Sequence, residues 1–291
     1  MKAAFERGIL SAYDFRKKSV VFAYGASVLL VALMVLSMLY PFAVTMMNAF
    51  KPNEQIFEFP PRFFPKEWKW ANLKTGWKYI NLVLYLKNTI MLFIGNMICI
   101  FLATGLAAYA LSCMRLPYRR AIYAFFMATL FIPPSTYIIP NFINLKDLGL
   151  VNTFWAFWLP AGANAFYLLV LKSFFDGIHP ELLEAARIDG ASEWLCFRKI
   201  AVPLSLPIFS TIAIFVFAAV WNDWFWPSLV LHDPNKMPLA TAVYKYVINA
   251  RRLDWNIRFA ILFMVMTPPV LIFLLFQKYM LRGISLAGIK G

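Results

Sequence analysis

The residues best suited to chemistry lie in one polar stretch, Glu181 to Pro207, between long apolar runs of a 291-residue chain. Its first part mixes acidic, small and basic side chains and reads ELLEAARIDGA. The charged groups suit a protein partner, and the small side chains let that partner approach the backbone closely. No grouping in this stretch is typical of a catalytic cluster. We therefore expect the stretch to bind another protein.

Histidine and cysteine offer no metal-binding pattern. The two histidines, His179 and His232, are far apart, and Cys99, Cys113 and Cys196 lie in or beside apolar segments without CxxC spacing. Neither arrangement is typical of a zinc site. The chain also contains no GxxxxGK[ST] phosphate-binding loop. The sequence therefore predicts no metal site, no catalytic site and no cofactor bound by this chain.

Composition places the chain among integral membrane proteins. It is 62% hydrophobic and only 14% charged, and its mean hydropathy is +0.66. A soluble domain of this size could not bury so much apolar surface. The net charge of +14 is scattered between apolar runs and forms no basic face, which argues against a nucleic-acid partner.

Six runs are apolar and long enough, or nearly so, to cross a bilayer at about 1.5 Å per residue. They are Ser19–Phe50, Asn88–Met114, Ala121–Leu145, Leu148–Leu171, Ile200–Asn222 and Phe259–Gln277. Pro133, Pro134 and Pro140 predict a break in the third run. The expected fold is an all-α membrane protein with six transmembrane helices, and an even count puts both termini on one side. The basic N-terminal tail and the basic Arg115–Arg120 turn place that side in the cytoplasm.

This topology divides the chain into five parts. They are a cytoplasmic tail (1–18), a first transmembrane helix (19–50), an outer segment (51–87), a five-helix core (88–278) that contains the polar stretch (181–207), and a cytoplasmic C-terminal tail (279–291). The polar stretch follows four spans, so it shares the cytoplasmic side with the N-terminal tail.

The pattern Glu184-Ala185-Ala186, two residues, then Asp189-Gly190-Ala191 resembles the EAA loop of bacterial ABC importer permeases. Further similarity lies in Asn88, in Trp221-Asn222-Asp223 and in the C-terminal Gly288–Gly291. The resemblance covers nearly the whole chain and is to the carbohydrate-importer branch, of the maltose-permease type. His179-Pro180 departs from the Ile-Pro that is more frequent in the family.

The resemblance implies a type I ABC importer permease fold in the bacterial cytoplasmic (inner) membrane. It also implies a second, homologous permease subunit in a heterodimer, a solute-binding protein and two ATPase subunits that carry ATP and Mg. On this reading the chain is not an enzyme. The C-terminal Gly288, Lys290 and Gly291 are expected to contact the ATPase pair.

The polar stretch is expected to couple the ATPase to the spans. Gly190 permits a turn between two short helices, Glu181–Arg187 and Ser192–Ile200, and Asp189 is placed to cap the second helix. Trp194 and Phe197 are expected to form an aromatic tip. The coupling residues are Glu184, Ala185, Ala186, Asp189, Gly190, Ala191, Trp194 and Phe197. An amphipathic helix resting on the inner leaflet is the alternative.

Candidates for the solute pathway lie at the end of the fifth run and in the fourth. Trp221, Asn222, Asp223 and Trp224 combine aromatic faces with hydrogen-bonding groups, as sugar sites commonly do. An interfacial aromatic belt explains the tryptophans equally well. Asn164 and Tyr167 are weaker candidates of the same kind.

The outer segments predict an anionic solute. They carry thirteen Lys or Arg residues against seven acidic ones, a field that would attract an acidic oligosaccharide such as a uronate polymer fragment. Anionic lipid or an acidic binding protein explains the same charge. A neutral sugar or a glycerol-phosphate-type solute also stays open. An ion-coupled secondary transporter is the alternative class, although the six runs contain no charged residue.

Overall fold

The structure is a computed structural model that describes the backbone of residues 17 to 287 and the side chains up to Leu274. These described residues are helical and contain no strand. Most of the N-terminal tail and the expected ATPase contacts Gly288, Lys290 and Gly291 lie outside the described residues. The α-helices are α1 Lys18–Ala49, α2 Asn53–Ile56, α3 Ala71–Tyr79, α4 Leu82–Cys99, α5 Leu106–Cys113, α6 Arg119–Thr129, α7 Ile138–Asp147, α8 Trp155–Ala161, α9 Ala165–Phe175, α10 Pro180–Ile188, α11 Glu193–Cys196, α12 Val202–Leu204, α13 Leu206–Asn222, α14 Phe225–Val230, α15 Leu239–Val243 and α16 Trp255–Ala287.

Shorter helical turns join several of these helices. Three are π-helical, Ile100–Gly105, Phe197–Ala201 and Tyr244–Ile248, and two are 3₁₀ turns, Pro134–Tyr137 and Pro234–Lys236. The chain divides into two units. The first contains the residues up to Gly76 together with Leu253–Met264, and the second contains Trp77–Arg252 and the residues from Val265 onward.

The first unit is built around the end of α1. Its core contains Ala49, Phe50 and Ala260, and the amide of Asn72 donates to the carbonyls of Ala49 (3.0 Å) and Lys51 (2.9 Å). The rest of α1 is apolar and exposed along its length. Such a surface is what a lipid-facing helix presents, because lipid tails are as apolar as its side chains.

The second unit holds the polar stretch against the bundle. Its long helix Leu82–Cys113 consists of α4, a π-turn and α5, and the side chain of Asn81 caps its start by accepting from the Leu84 N–H. This helix packs on α8, α9 and α13. At Gly95 the contact is so close that a Cβ would overlap the Trp158 indole. The main buried residues are Ile100, Ala108, Tyr109, Leu171, Phe175, Leu183, Cys196, Phe197, Ala201, Phe209, Ile212 and Val216.

Three helices are long and apolar enough to cross a membrane: Lys18–Ala49, Leu82–Cys113 and Trp255–Leu274. Two bent pairs raise the number to five among the described residues. The third predicted run forms one of these pairs, α6 with Pro134–Asp147, bent by 89°. Pro133 and Pro134 lie at the bend as predicted, but Pro140 lies inside α7. Because Pro140 is in the first turn of α7, its missing N–H removes no intrahelical hydrogen bond.

The fourth and fifth predicted runs are also interrupted. The fourth is divided between α8 and α9, and neither helix is long enough to span alone. The fifth is bent by 74° at Ser205, where α12 meets α13. Ser205 is fully buried, and its hydroxyl donates to the Ala201 carbonyl (2.6 Å). Buried protein surroundings of this kind are what tolerate a helix break at membrane depth.

Candidate coupling site and outer cavity

The polar stretch folds as a helix, a tight turn and a second helix. Gly190 adopts a φ of +83°, which L side chains rarely adopt. The Ala191 N–H donates to the Ala186 carbonyl (2.9 Å), and the Gly190 N–H donates to the Arg187 carbonyl (3.0 Å). This pair of bonds is a Schellman motif, which satisfies the last carbonyls of α10. The expected turn at Gly190 is therefore present.

The cap of the second helix differs from the prediction. Ser192 is the N-cap of α11, and its hydroxyl oxygen accepts from the Leu195 N–H (3.3 Å). Asp189 is instead the exposed C-cap residue of α10. The assignment of Asp189 as the cap was wrong because the Schellman turn adds two residues before α11 begins, and serine is equally suited to the N-cap position.

An ion pair across the turn connects this site to the long helix. Arg187 Nε donates to Glu193 Oε1 (2.8 Å), and Arg187 Nη2 donates to the Cys113 carbonyl (2.9 Å), the end of α5. The Tyr109 hydroxyl donates to Glu193 Oε2 (2.9 Å). The hydrogen bond with Glu193 raises the pKa of Arg187. The opposite charges at 187 and 193 were visible in the sequence, but nothing there predicted their contact with α5.

The two aromatic residues of the expected tip have different positions. Trp194 is 52% exposed, whereas Phe197 is 1% exposed. The Phe197 ring packs against Tyr109 (5.3 Å between centroids) and Phe101 (5.8 Å). Phe197 therefore anchors the stretch to the bundle and is not part of a tip. The prediction of a shared tip was wrong because Phe197, where α11 ends and a π-turn begins, lies on the side of the helix that faces the bundle.

The outer face of α10 combines acidic and apolar side chains. Glu184, Ala185 and Leu182 are exposed, and Ile188 is 86% exposed. Leu183, the neighbour of the exposed Leu182, is buried and faces the bundle.

The inner face of the stretch carries small residues. Ala186 and Ala191 are half-buried and pack against the main core of the second unit. The stretch thus has an inner face fixed to the bundle and an outer face available to a partner.

A second polar cluster ties the neighbouring helix ends together. Asp176, just after α9, accepts from Lys172 Nζ (2.6 Å) and from the Ser112 hydroxyl (2.6 Å), and Arg119 Nη2 lies 3.6 Å from its Oδ1. Partial burial raises the pKa of Asp176, but these hydrogen bonds and the nearby cations outweigh that effect and hold the pKa below its ordinary value. The charged form is therefore favoured at this junction.

Asn164 and Tyr167, the weaker pathway candidates, lie together at the start of α9. The Asn164 side chain accepts from the Tyr167 N–H (3.0 Å), so Asn164 is the helix N-cap. Tyr167 is half-buried against the main core. Both residues thus have structural roles that the sequence pattern did not reveal.

The residues after the fifth run do not share one surface. Trp221 is only 9% exposed and packs on Phe217 (5.2 Å between centroids), so its indole has little surface to offer a solute. Asn222 is exposed and donates to the Ala218 carbonyl (2.8 Å). Asp223 is half-buried and accepts from the Trp226 N–H (3.2 Å) at the start of α14.

Trp224 contacts a residue that lines a cavity. Its indole stacks on the Tyr244 ring with centroids 3.8 Å apart, and Tyr244 lines a cavity of about 320 Å³. We name it the outer cavity because its lining residues follow the fifth run, in a segment predicted to lie outside. The residues lining this cavity are Ser228, Leu231, His232, Met237, Thr241, Tyr244, Lys245 and Asn249. Nothing in the sequence pattern marked these residues for solute binding, because their grouping depends on the fold of α14 and α15. Among the described residues, no group of three His, Cys, Asp or Glu side chains could hold a metal ion.

Two relatives align with most of this chain. The diacetylchitobiose uptake system permease protein NgcG of Streptomyces coelicolor is 29% identical over 84% of this chain and 82% of its own. The polygalacturonan/rhamnogalacturonan transport system permease protein YtcP of Bacillus subtilis is 32% identical over 68% of this chain and 73% of its own.

A solved structure shares the fold. It is a chain of a bacterial ABC transporter involved in the import of the acidic polysaccharide alginate, with a TM-score of 0.81. The match covers 94% of this chain and 99% of that one at 24% identity.

A family model matches residues 100–286, which include the whole polar stretch. The model describes inner membrane components of binding-protein-dependent transport systems. The resemblance carried by Glu184 to Ala191 is therefore confirmed. The chain belongs to this family, as a permease subunit of an ABC importer that is not itself an enzyme.

Proposed function

We propose that this chain forms half of the membrane passage of an ATP-driven oligosaccharide importer and that its Glu181–Pro207 stretch transmits the motion of the ATPase. The passage is completed by a second, homologous permease subunit. Two ATPase subunits bind ATP and Mg, and a binding protein delivers the solute. In this proposal the chain itself binds no cofactor.

The proposed topology has six spans in the bacterial cytoplasmic membrane, with both termini in the cytoplasm. The α8–α9 segment counts as the fourth span, its break covered by protein. The C-terminal Gly288, Lys290 and Gly291 contact the ATPase pair. This arrangement puts the polar stretch on the side where ATP is found.

One observation supports the coupling role: one face of the stretch is attached to the bundle, and the opposite face is exposed. Phe197 and the Arg187–Glu193 pair attach it to the end of the long helix, whereas Glu184, Ala185 and Ile188 face outward. A rigid element with such a face can pass force from a partner to the spans. An amphipathic helix on the lipid surface needs neither the attachment nor an acidic start.

The coupling role is tested with Ala185→Trp in the reconstituted complex. The exposed side chain at 185 leaves the bundle intact, so we expect the spans to insert and ATP hydrolysis to continue while sugar uptake falls by about tenfold or more, as for a hot-spot contact. Ala71→Trp, at an exposed alanine in α3, is the matched control and should transport normally. Normal coupled uptake by Ala185→Trp would remove the proposal.

We further propose an acidic oligosaccharide as the solute. YtcP is named for the transport of polygalacturonan and rhamnogalacturonan, and the solved structure is of a transporter involved in the import of the acidic polysaccharide alginate. The outer cavity carries Lys245 beside the Trp224–Tyr244 stack. Aromatic faces suit sugar rings, and a cation suits a uronate carboxylate. NgcG, named for a neutral disaccharide, keeps the neutral alternative open.

Uptake assays decide between these solutes and between energy sources. We expect vesicles with the complete complex to accumulate uronic oligosaccharides on ATP addition and to ignore neutral oligosaccharides of equal length. Glycerol phosphate serves as the small anionic control. Uptake of neutral sugars alone would rule out the proposal of an acidic solute. Uptake driven by a proton or sodium gradient without an ATPase would remove the importer mechanism itself.

A further inference from the structure

A larger cavity of about 590 Å³ lies in the second unit at the start of α6. The side chains that line it are Tyr118, Arg119, Arg120, Tyr123 and Lys172. Three of the five are cations, and none belongs to the proposed coupling face or to the outer cavity. We refer to it as the basic cavity.

The cations of the basic cavity exceed the negative charge beside them. Lys172 and Arg119 share one carboxylate, that of Asp176, at 2.6 Å and 3.6 Å. Lys172 also lies over the Tyr123 ring, 4.9 Å from its centroid. Arg120 is exposed and forms no ion pair within residues 17 to 274. Two positive charges are thus left to attract an anion into the cavity.

Two exposed apolar side chains follow the cations on the same helix. Ile122 and Phe125 lie three positions apart on α6 and are 40% and 70% exposed. Arg119 and Arg120 occupy the first turn of the same helix. The helix therefore has a cationic end and an exposed apolar flank. A phosphate ion uses only the first of these, whereas a phospholipid uses both.

We propose that the basic cavity binds the headgroup of an anionic phospholipid, with the phosphate against Arg119, Arg120 and Lys172 and the acyl chains along Ile122 and Phe125. Basic pockets beside membrane helices recognise such headgroups. The inference rests on the proposed function only in assigning this end of the unit to the cytoplasmic leaflet. The bound lipid adds the negative charge that Asp176 alone does not supply between α6 and α9.

The test measures binding of short-chain phosphatidylglycerol to the delipidated complex in neutral detergent. We expect saturable binding, and Arg120→Gln should weaken it by about fivefold, the effect of about one cation near a lipid headgroup. Arg120 has an exposed side chain outside the core, so the variant should fold. Arg115→Gln is the matched control: Arg115 is exposed in the same turn but does not line the cavity, and its loss should change affinity by less than about twofold.

Three results would overturn the proposal. Equal affinity of Arg120→Gln and the unaltered complex would place the lipid elsewhere. Equal binding of short-chain phosphatidylcholine would show that the negative charge is not recognised. Competition by inorganic phosphate at the same concentration as the lipid would make the site one for a free anion.

The lipid site and the coupling role can fail separately. Lipid binding is measured without nucleotide or sugar, so loss of coupled uptake in Ala185→Trp with unchanged phosphatidylglycerol affinity affects only the coupling proposal. Conversely, a complex that transports normally but binds no phosphatidylglycerol contradicts only the lipid site.

Discussion

The polar stretch and the outer cavity use their charges in opposite ways. In the stretch, Arg187 and Glu193 pair with each other and with the end of α5, so the charge fixes the position of a helix. In the outer cavity, Lys245 lies over the Tyr246 ring (5.5 Å) and forms no ion pair among residues 17 to 274. In our proposal, the internally paired charge of the stretch has a mechanical role, and the available charge of the outer cavity has a binding role.

The largest effect is expected when the polar stretch loses its attachment to the bundle. Phe197→Ala should destabilise the complex by about 3–5 kcal/mol, because a fully buried ring is lost. The matched variant Trp194→Ala removes a ring that is half exposed and should cost less than about 1 kcal/mol. Thermal unfolding of the purified complex measures both. Equal losses would mean that Phe197 does not anchor the stretch.

A smaller effect is expected from the ion pair. A double-mutant cycle with Arg187→Met and Glu193→Gln should give a coupling free energy of about 1 kcal/mol. That figure allows for the partial exposure of both side chains, which weakens a salt bridge. Thermal unfolding again supplies the four stabilities. Additive losses would show that the two residues act independently, and the paired-charge half of the comparison would then fail.

A substitution in the outer cavity should change the affinity for the solute and leave the stability of the complex unchanged. Lys245→Gln should raise the KM for a uronic oligosaccharide by about fivefold, the loss of roughly 1 kcal/mol from an exposed ion pair with the solute. The free energy of unfolding of this variant should stay within about 0.5 kcal/mol of that of the unaltered complex. Arg252→Gln changes an exposed cation that does not line the cavity and serves as the control. Equal KM values for the two variants would mean that the rise in KM comes from the overall positive charge of the outer segments and not from Lys245 in the cavity.

The sequence predicted membrane helices and a protein-docking stretch because both depend on local patterns. Hydropathy identified the apolar runs, and the glycine at 190 indicated the turn that its φ of +83° confirms. Interruptions within the runs were harder to place. Pro140 lies in a first turn and breaks nothing, while the fifth run bends at Ser205, between Pro203 and Pro207, where we predicted no break.

The site residues also divide into those that local sequence predicted and those that depend on packing. Glu184 and Ala185 on the exposed face of α10 were named from the resemblance to the EAA loop, whereas Tyr109 is 84 positions from Glu193 and joins it only through the packed bundle. Phe197 was misplaced because its burial against Tyr109 and Phe101 depends on the packing of the bundle. Charge counting also overstated the number of exposed cations in the outer segments, because Lys51 is buried and donates to the Asn48 side chain (2.7 Å).

The most direct test of the coupling role is photo-cross-linking from two positions of α10. A photoactivatable residue at Ile188, 86% exposed, should form a covalent adduct with the ATPase subunit in the assembled complex. The same residue at Leu183, 3% exposed, should react only within this chain. A lower yield of the adduct from position 188 when ATP closes or opens the ATPase pair would match a contact that transmits motion. Adducts from 188 with lipid alone, in a complex that still contains the ATPase, would contradict the account.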